Sequence, residues 1–192
     1  MLRPASFLLT LLTACSTVAP EGERLLADIP PGWERIYQMD TGRARLSDFA
    51  PTGETQTDWT TRLSFESFDA SEINTDPIDL LLAEAEADMK KCNFVQHFNI
   101  HSGYENNYET SVRLIMCGEN AFSGKGEVKL VKMIAGNDYV YSIRMARRLA
   151  PFTVNQPDVA KHDIASWSAY FSRISLCDDT DAHPCPESSA ED

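Results

Sequence analysis

Cysteines and histidines are the residues of this chain whose types and spacing come nearest to a chemical site. Cys92, His97 and His101 fall within one short stretch, the composition of a metal-ligand set. Strand geometry argues against it. His97 and His101 face the same way but stand about 13 Å apart at about 3.3 Å per residue. Cys92 has the opposite parity, so no shared tetrahedral metal is expected. A serine hydrolase needs a nucleophile, a base and an orienting acid. No Gly-x-Ser-x-Gly surrounds any serine, and the remaining histidines, His162 and His183, fall on a helix and in a tail. Gly124-Lys125-Gly126 is too short for a phosphate loop. Asp178, Asp179 and Asp181 lack the Gly turn and terminal Glu of a calcium loop. The expectation is a protein without catalytic residues, metal or cofactor.

One arrangement suits binding. If the second half of the chain forms an antiparallel meander, Arg113, Lys129 and Arg144 point to one side of it, and Arg62 and His97 join them. In an acidic protein such a face would take an anionic ligand or an acidic partner. The plainer alternative is a solvated face whose cations pair across strands with Glu66, Glu109 and Glu127.

These residues need elements to position them. Trp33–Met39, Arg43–Phe49 and Trp59–Phe68 read as strands, with a turn at Pro51-Thr52-Gly53-Glu54. Asp76-Pro77 then starts a helix, with Ile78, Leu81, Leu82, Ala85 and Met89 at helical spacing and Cys92 continuing the stripe toward the core. Four alternating stretches follow: Phe94–His101, Tyr108–Met116, Val128–Ile134 and Tyr139–Ala146. Their connections contain Gly103, Asn106-Asn107, Gly124 and Gly136, so an antiparallel meander is expected. A last helix is predicted from about Val159 to Leu176, carrying Ala160, Ile164, Trp167, Phe171 and Ile174. Strands, helix, four strands and helix define an α+β class: an antiparallel sheet of about five to seven strands with two helices packed on it. This order resembles the PsbP/Mog1-like fold. The resemblance implies architecture and no activity.

The leader adds an address. Arg3 precedes the apolar run Phe7–Leu12, which is too short to span a bilayer as a helix of about 20 residues. It ends in Leu12-Thr13-Ala14-Cys15, which resembles the bacterial lipobox. The resemblance implies a signal peptide over residues 1–14, cleavage before Cys15, diacylglyceryl transfer to its thiol and acylation of the new amine, with palmitate among the usual chains. Ser16 stands where Asp would retain a Gram-negative lipoprotein at the inner membrane, so the implied address is the outer membrane, facing the periplasm. Residues 15–31 then read as a lipidated tether, 32–177 as one domain, and 178–192 as an acidic solvated tail with six carboxylates and no Lys or Arg.

Giving Cys15 to lipid leaves Cys92, Cys117, Cys177 and Cys185, an even number in an oxidising compartment. Among the alternative pairings, Cys92–Cys117 clips a helix end to a strand and Cys177–Cys185 closes a short loop. The formal net charge of −12 excludes nucleic acid as a partner and head-group attraction as the anchor. Asp58-Trp59-Thr60, Cys92, Cys117, Gly124–Glu127 and Ile134–Asp138 together make a pattern similar to small uncharacterised envelope proteins of Gram-negative bacteria. The expected function is a lipid-anchored, non-catalytic accessory subunit that binds another protein in the envelope. A carrier of a small anionic ligand and an unrecognised hydrolase are the alternatives. Cys15→Ala is expected to abolish metabolic lipid labelling and leave an uncut precursor on a denaturing gel; normal processing of the variant would refute the lipobox reading.

Overall fold

The computed structural model describes residues 22–73, 75–153, 161–178 and 180–186. The leader with Cys15, the predicted helix start at Val159 and the side chain of His162 lie outside the described residues. In chain order the elements are β1 (Arg24–Leu26), β2 (Trp33–Asp40), β3 (Ala44–Pro51), β4 (Thr61–Asp69), α1 (Pro77–Met89), β5 (Val95–Glu105), β6 (Tyr108–Asn120), β7 (Lys125–Ala135), β8 (Tyr139–Leu149), α2 (Lys161–Phe171) and β9 (Ser175–Cys177). The class is α+β. Seven antiparallel strands run in the order β2-β3-β4-β8-β7-β6-β5, and β1 and β9 form a separate pair. Among the described residues no helix is long and apolar enough to cross a membrane.

Local chemistry explains the element ends. The Asp76 carboxylate accepts the Asp79 N–H at 2.9 Å and Pro77 occupies the first turn, which together start α1. Asn106 and Asn107 both take positive φ, 47° and 63°, the conformation a two-residue hairpin needs between β5 and β6. The two meanders, β2–β4 and β5–β8, join where β4 pairs antiparallel with β8 over Thr61–Asp69.

The sheet has two unlike faces. On one, Leu63, Leu114, Leu130, Ile134, Ile143 and Met145 pack against Trp167 and Phe171 of α2, forming the main core. On the other, Leu81 and Ala85 of α1 meet Ile115, Val131 and Met133. Leu81 and Ala85 of the predicted stripe face the sheet, but Met89, at its end, is 53 % exposed.

The ends of the domain differ from the expected tether and tail. Arg24–Leu26, inside the predicted tether, pair with Ser175–Cys177 inside what was expected to be the last helix. The Glu23 carboxylate accepts N–H bonds from Asn137, Asp138 and Tyr139. At the other end, Cys177–Cys185 closes the loop, with Cα atoms 4.9 Å apart. That loop docks on the β5–β6 hairpin: Asn106 donates to Leu176 O at 2.8 Å, Asn107 donates to Ala182 O at 2.6 Å, and Tyr108 stacks on His183 at 3.9 Å. Three-residue strands are too short to leave a periodic signal, which is why Arg24–Leu26 read as tether and Ser175–Leu176 as the end of a helix. Cys92–Cys117 ties the end of α1 to β6, with Cα atoms 5.5 Å apart.

Two glycines mark a close approach. Phe94 and Phe152 pack edge to face at 5.7 Å over the ends of β6 and β7. A Cβ on Gly118 would lie 2.0 Å from a Phe94 ring carbon, and one on Gly126 would lie 2.6 Å from Phe152. Gly118→Ala is therefore expected to lose about 1–3 kcal/mol in urea unfolding, as overpacking does; an unchanged midpoint would show that the ring moves freely.

Candidate functional site

The register brings the five predicted cation-face residues to one side of the sheet. Arg62 is opposite Ala146, Arg144 opposite Val131, Lys129 opposite Ile115, Arg113 opposite Val131, and His97 opposite Ile115. Val131 and Ile115 pack on α1, so this is the face that α1 covers.

The helix answers these charges itself. Glu84 and Asp88 lie one turn apart on the sheet side of α1. Lys129 Nζ donates to Glu84 Oε1 at 2.7 Å and lies 2.8 Å from Asp88 Oδ2. Arg144 Nε donates to Glu84 Oε1 at 3.1 Å, and its Nη1 donates to Glu66 Oε1 at 2.5 Å. Burial alone would push the Glu84 carboxyl up, yet Arg144 and Lys129 beside it hold it below its ordinary value. Burial likewise opposes the charge on Lys129, but Glu84 and Asp88 raise it above the usual lysine range. Arg113, 7 % exposed, is held by the edge strand: its Nη1 lies 2.7 Å from His97 Nδ1. An arginine has no acceptor, so that ring nitrogen must carry a free lone pair. Arg62 lies 3.6 Å from Asp48 Oδ2 and shares the Trp59 ring with Arg148, at 4.4 and 3.9 Å.

A pocket of about 240 Å³ opens beside this network, lined by Arg62, Glu84, Asp88, Lys91, Lys129 and Arg144. Its walls carry both signs. An anion entering there meets Glu84 and Asp88 together with the cations they already neutralise.

The two strand histidines separate. A register shift between Asn99 and His101 leaves His97 opposite Ile115 on the α1 face and puts His101 opposite Val112 on the α2 face. The strand reading that gave them a common face assumed an unbroken alternation. His101 Nε2 is 3.9 Å from Glu105 Oε1, beyond hydrogen-bond reach. Among the described residues no group of three His, Cys, Asp or Glu side chains converges as a metal site, and no serine hydroxyl is hydrogen-bonded to a histidine ring.

A second pocket, about 220 Å³, lies on the α2 face between β5 and the end of α2. Ile100, His101, Glu105, Val112, Lys132 and Phe171 line it. Its floor holds a residue the sequence reading passed over. Lys132 is 1 % exposed, in the middle of the apolar run Val128, Leu130, Ile134 of β7. Its ammonium donates to Glu105 Oε2 at 2.5 Å, Phe171 O at 3.1 Å and Ile174 O at 2.8 Å. It thus ties the C-terminal end of α2, where backbone carbonyls lack helical donors, to β7 and β5. A lysine interrupting a core-facing alternation was the available signal.

The fold and these sites define a single α+β unit with a tied polar face and an apolar groove, without an assembled catalytic group among the described residues. No family model matches the chain, and no curated protein matches it. Solved structures of similar shape include the Ran-binding protein Mog1p of Saccharomyces cerevisiae, 10 % identical, covering 79 % of this chain and 85 % of that one, with a TM-score of 0.42. Cyanobacterial PsbP from Synechocystis sp. PCC 6803 is 12 % identical, covering 86 % and 97 %, at 0.44. LpqN of Mycobacterium tuberculosis, a protein involved in cell envelope biogenesis, is 9 % identical, covering 82 % and 84 %, at 0.37.

Glu84→Ala is expected to cost about 3–5 kcal/mol, because it leaves Lys129 and Arg144 buried against too little negative charge. The pH dependence has a definite sign. A carboxyl held below its ordinary 4.5 stabilises the fold fully above pH 4.5 and loses that contribution as pH falls through its lower folded value. Denaturant melts across pH 3–6 should therefore show acid destabilisation in the native chain that is much reduced in Glu84→Ala; parallel profiles would contradict the role given to Glu84.

Proposed function

We propose that the protein is a lipid-anchored, non-catalytic envelope protein that binds another protein as an accessory subunit. Acyl chains on Cys15 hold it to the outer membrane facing the periplasm, a role the acidic surface does not supply through head-group attraction. One observation carries the protein-binding part. Four of the five residues of the cationic face and Glu84 are engaged inside the fold, in the Glu84–Lys129–Arg144 and Arg113–His97 contacts. What the surface offers instead is a sheet edge without Asp, Glu, Lys or Arg from Val95 to Tyr104, with Phe98, Ile100 and Tyr104 exposed. Phe98, opposite Leu114, and Ile100, which lines the α2-side pocket, put exposed apolar surface together at this edge, a mark of interaction surfaces.

The carrier reading rests on the pocket beside Lys132. An anionic ligand there finds no free cation, because all three ammonium donors of Lys132 already have acceptors. The partner reading is therefore preferred.

Crosslinking in intact cells, followed by purification of the tagged protein from detergent-solubilised membranes, is expected to return one other envelope protein in fixed ratio. Recovery as a free monomer after crosslinking would overturn the proposal.

A further inference from the structure

We infer that β5 and the adjoining pocket form one docking groove, in which an extended segment of the partner adds to the sheet as an eighth strand and seats a bulky apolar side chain beside Phe171. The inference rests on the protein-binding reading and names what that partner must present.

The edge comes first. β5 ends the seven-strand order, so the outer side of its backbone lies beyond the ladder with β6. From Val95 to Tyr104 it carries no Asp, Glu, Lys or Arg, in a chain whose net charge is −12. Phe98 and Ile100 are each 48 % exposed and Tyr104 is 73 % exposed. The opposite edge, β2, carries Glu34, Arg35 and Asp40, the kind of charge that blocks strand addition. Both edge strands carry a register shift, between Asn99 and His101 in β5 and between Arg35 and Tyr37 in β2, so the difference between the edges is the charge that β2 adds.

The strand is also held ready. Cys92–Cys117 fixes its approach at one end. At the other, the Asn106-Asn107 turn is gripped by the Cys177–Cys185 loop. A segment pairing with an edge already in strand geometry orders itself alone, which lowers the entropy cost of binding.

The pocket supplies selectivity. Its walls are Ile100 and His101 of β5, Val112 of β6 and Phe171 of α2, so it opens at the same edge. Strand addition gives affinity through the main chain, and a pocket beside the strand selects alternate side chains. At about 220 Å³ it suits one leucine- or phenylalanine-sized group. Charge decides between occupants. A second copy would bring another acidic body against this one, whereas a neutral or basic segment with apolar residues at alternate positions meets no such repulsion.

The test uses the full-length protein in its own cells, with the photo-crosslinker benzoylphenylalanine placed at Phe98 or, on the other edge, at Met39, and the adduct peptides sequenced. Ile100→Lys puts a charge on the edge. Ser172→Trp fills the pocket from an exposed position at the end of α2 that lines it. Thermal unfolding of each variant confirms that the domain is intact. The expected result is an adduct at 98 with an alternating apolar segment of another protein, falling about tenfold or more in both variants, as a blocked edge and a filled anchor pocket require. An undiminished adduct in both variants overturns the groove, as does an adduct peptide from a second copy of this chain. Adducts from position 39 with none from 98 overturn the groove and leave the partner reading standing. No adduct at either position, together with free monomer in the co-purification, removes both.

Discussion

The fold depends on a buried ionic contact between a helix and a sheet. α1 packs only a small apolar cluster, Leu81 and Ala85 against Ile115, Val131 and Met133. Beside it lie Lys129 and Arg144, two cations on a face that the helix removes from water. Charges taken out of water are costly unless paired with good geometry and hydrogen-bonded. Glu84 meets both, Asp88 the lysine and Glu66 the arginine. The contact therefore sets where α1 can sit. A turn's displacement along its axis would leave Lys129 and Arg144 without the carboxylates that make their burial tolerable. The same pairing explains why Glu84 stays ionised despite burial and why the cationic face is closed to outside anions.

The opposite face solves the inverse problem. There the core is apolar and would accept α2 at many settings, and Lys132 removes that freedom. Its ammonium, buried among Leu130, Ile134 and Phe171, finds acceptors in Glu105, in the last carbonyl of α2 and in Ile174 O just beyond it. A helix end placed elsewhere would strand the charge. Each helix thus meets a cation from the same strand, β7, whose odd residues face α1 and whose even residues face α2, and Arg144 of β8 adds to the first.

Much of this was legible in the sequence, and the rest was hidden for identifiable reasons. Asp76-Pro77, the alternation in Tyr108–Met116 and Tyr139–Ala146, and the Asn106-Asn107 turn are local signals, and the elements follow them. The shared side of Arg62, His97, Arg113, Lys129 and Arg144 follows from parity once the meander is assumed. What covers that side does not, because it depends on which stripe of α1 turns inward. The apolar count carries the stripe on to Met89, whereas pairing with Lys129 and Arg144 brings Glu84 and Asp88 to the sheet side. The separation of His97 from His101 depends on one inserted residue, which has no signature in an alternating pattern. The β1–β9 pair joins chain ends far apart in sequence over three residues each, below the length at which periodicity carries information.

These assignments bear on function through what they remove. The cations of one sheet face are neutralised from within, and the buried ammonium of Lys132 is saturated by Glu105 and the carbonyls of Phe171 and Ile174. Each step subtracts a chemical role from a charged residue and gives it a structural one. The surface feature left unexplained by folding is the exposure of Phe98, Ile100 and Tyr104 on β5, which carries no Asp, Glu, Lys or Arg from Val95 to Tyr104. An edge strand of that kind is a hazard in a free monomer, since it invites pairing with any exposed strand. The opposite edge, with Glu34, Arg35 and Asp40, carries the charges that guard against such pairing. The strand addition proposed for β5 would use the edge that lacks such charges from Val95 to Tyr104. On that proposal the −12 net charge disfavours a second copy as the occupant, because two acidic bodies repel.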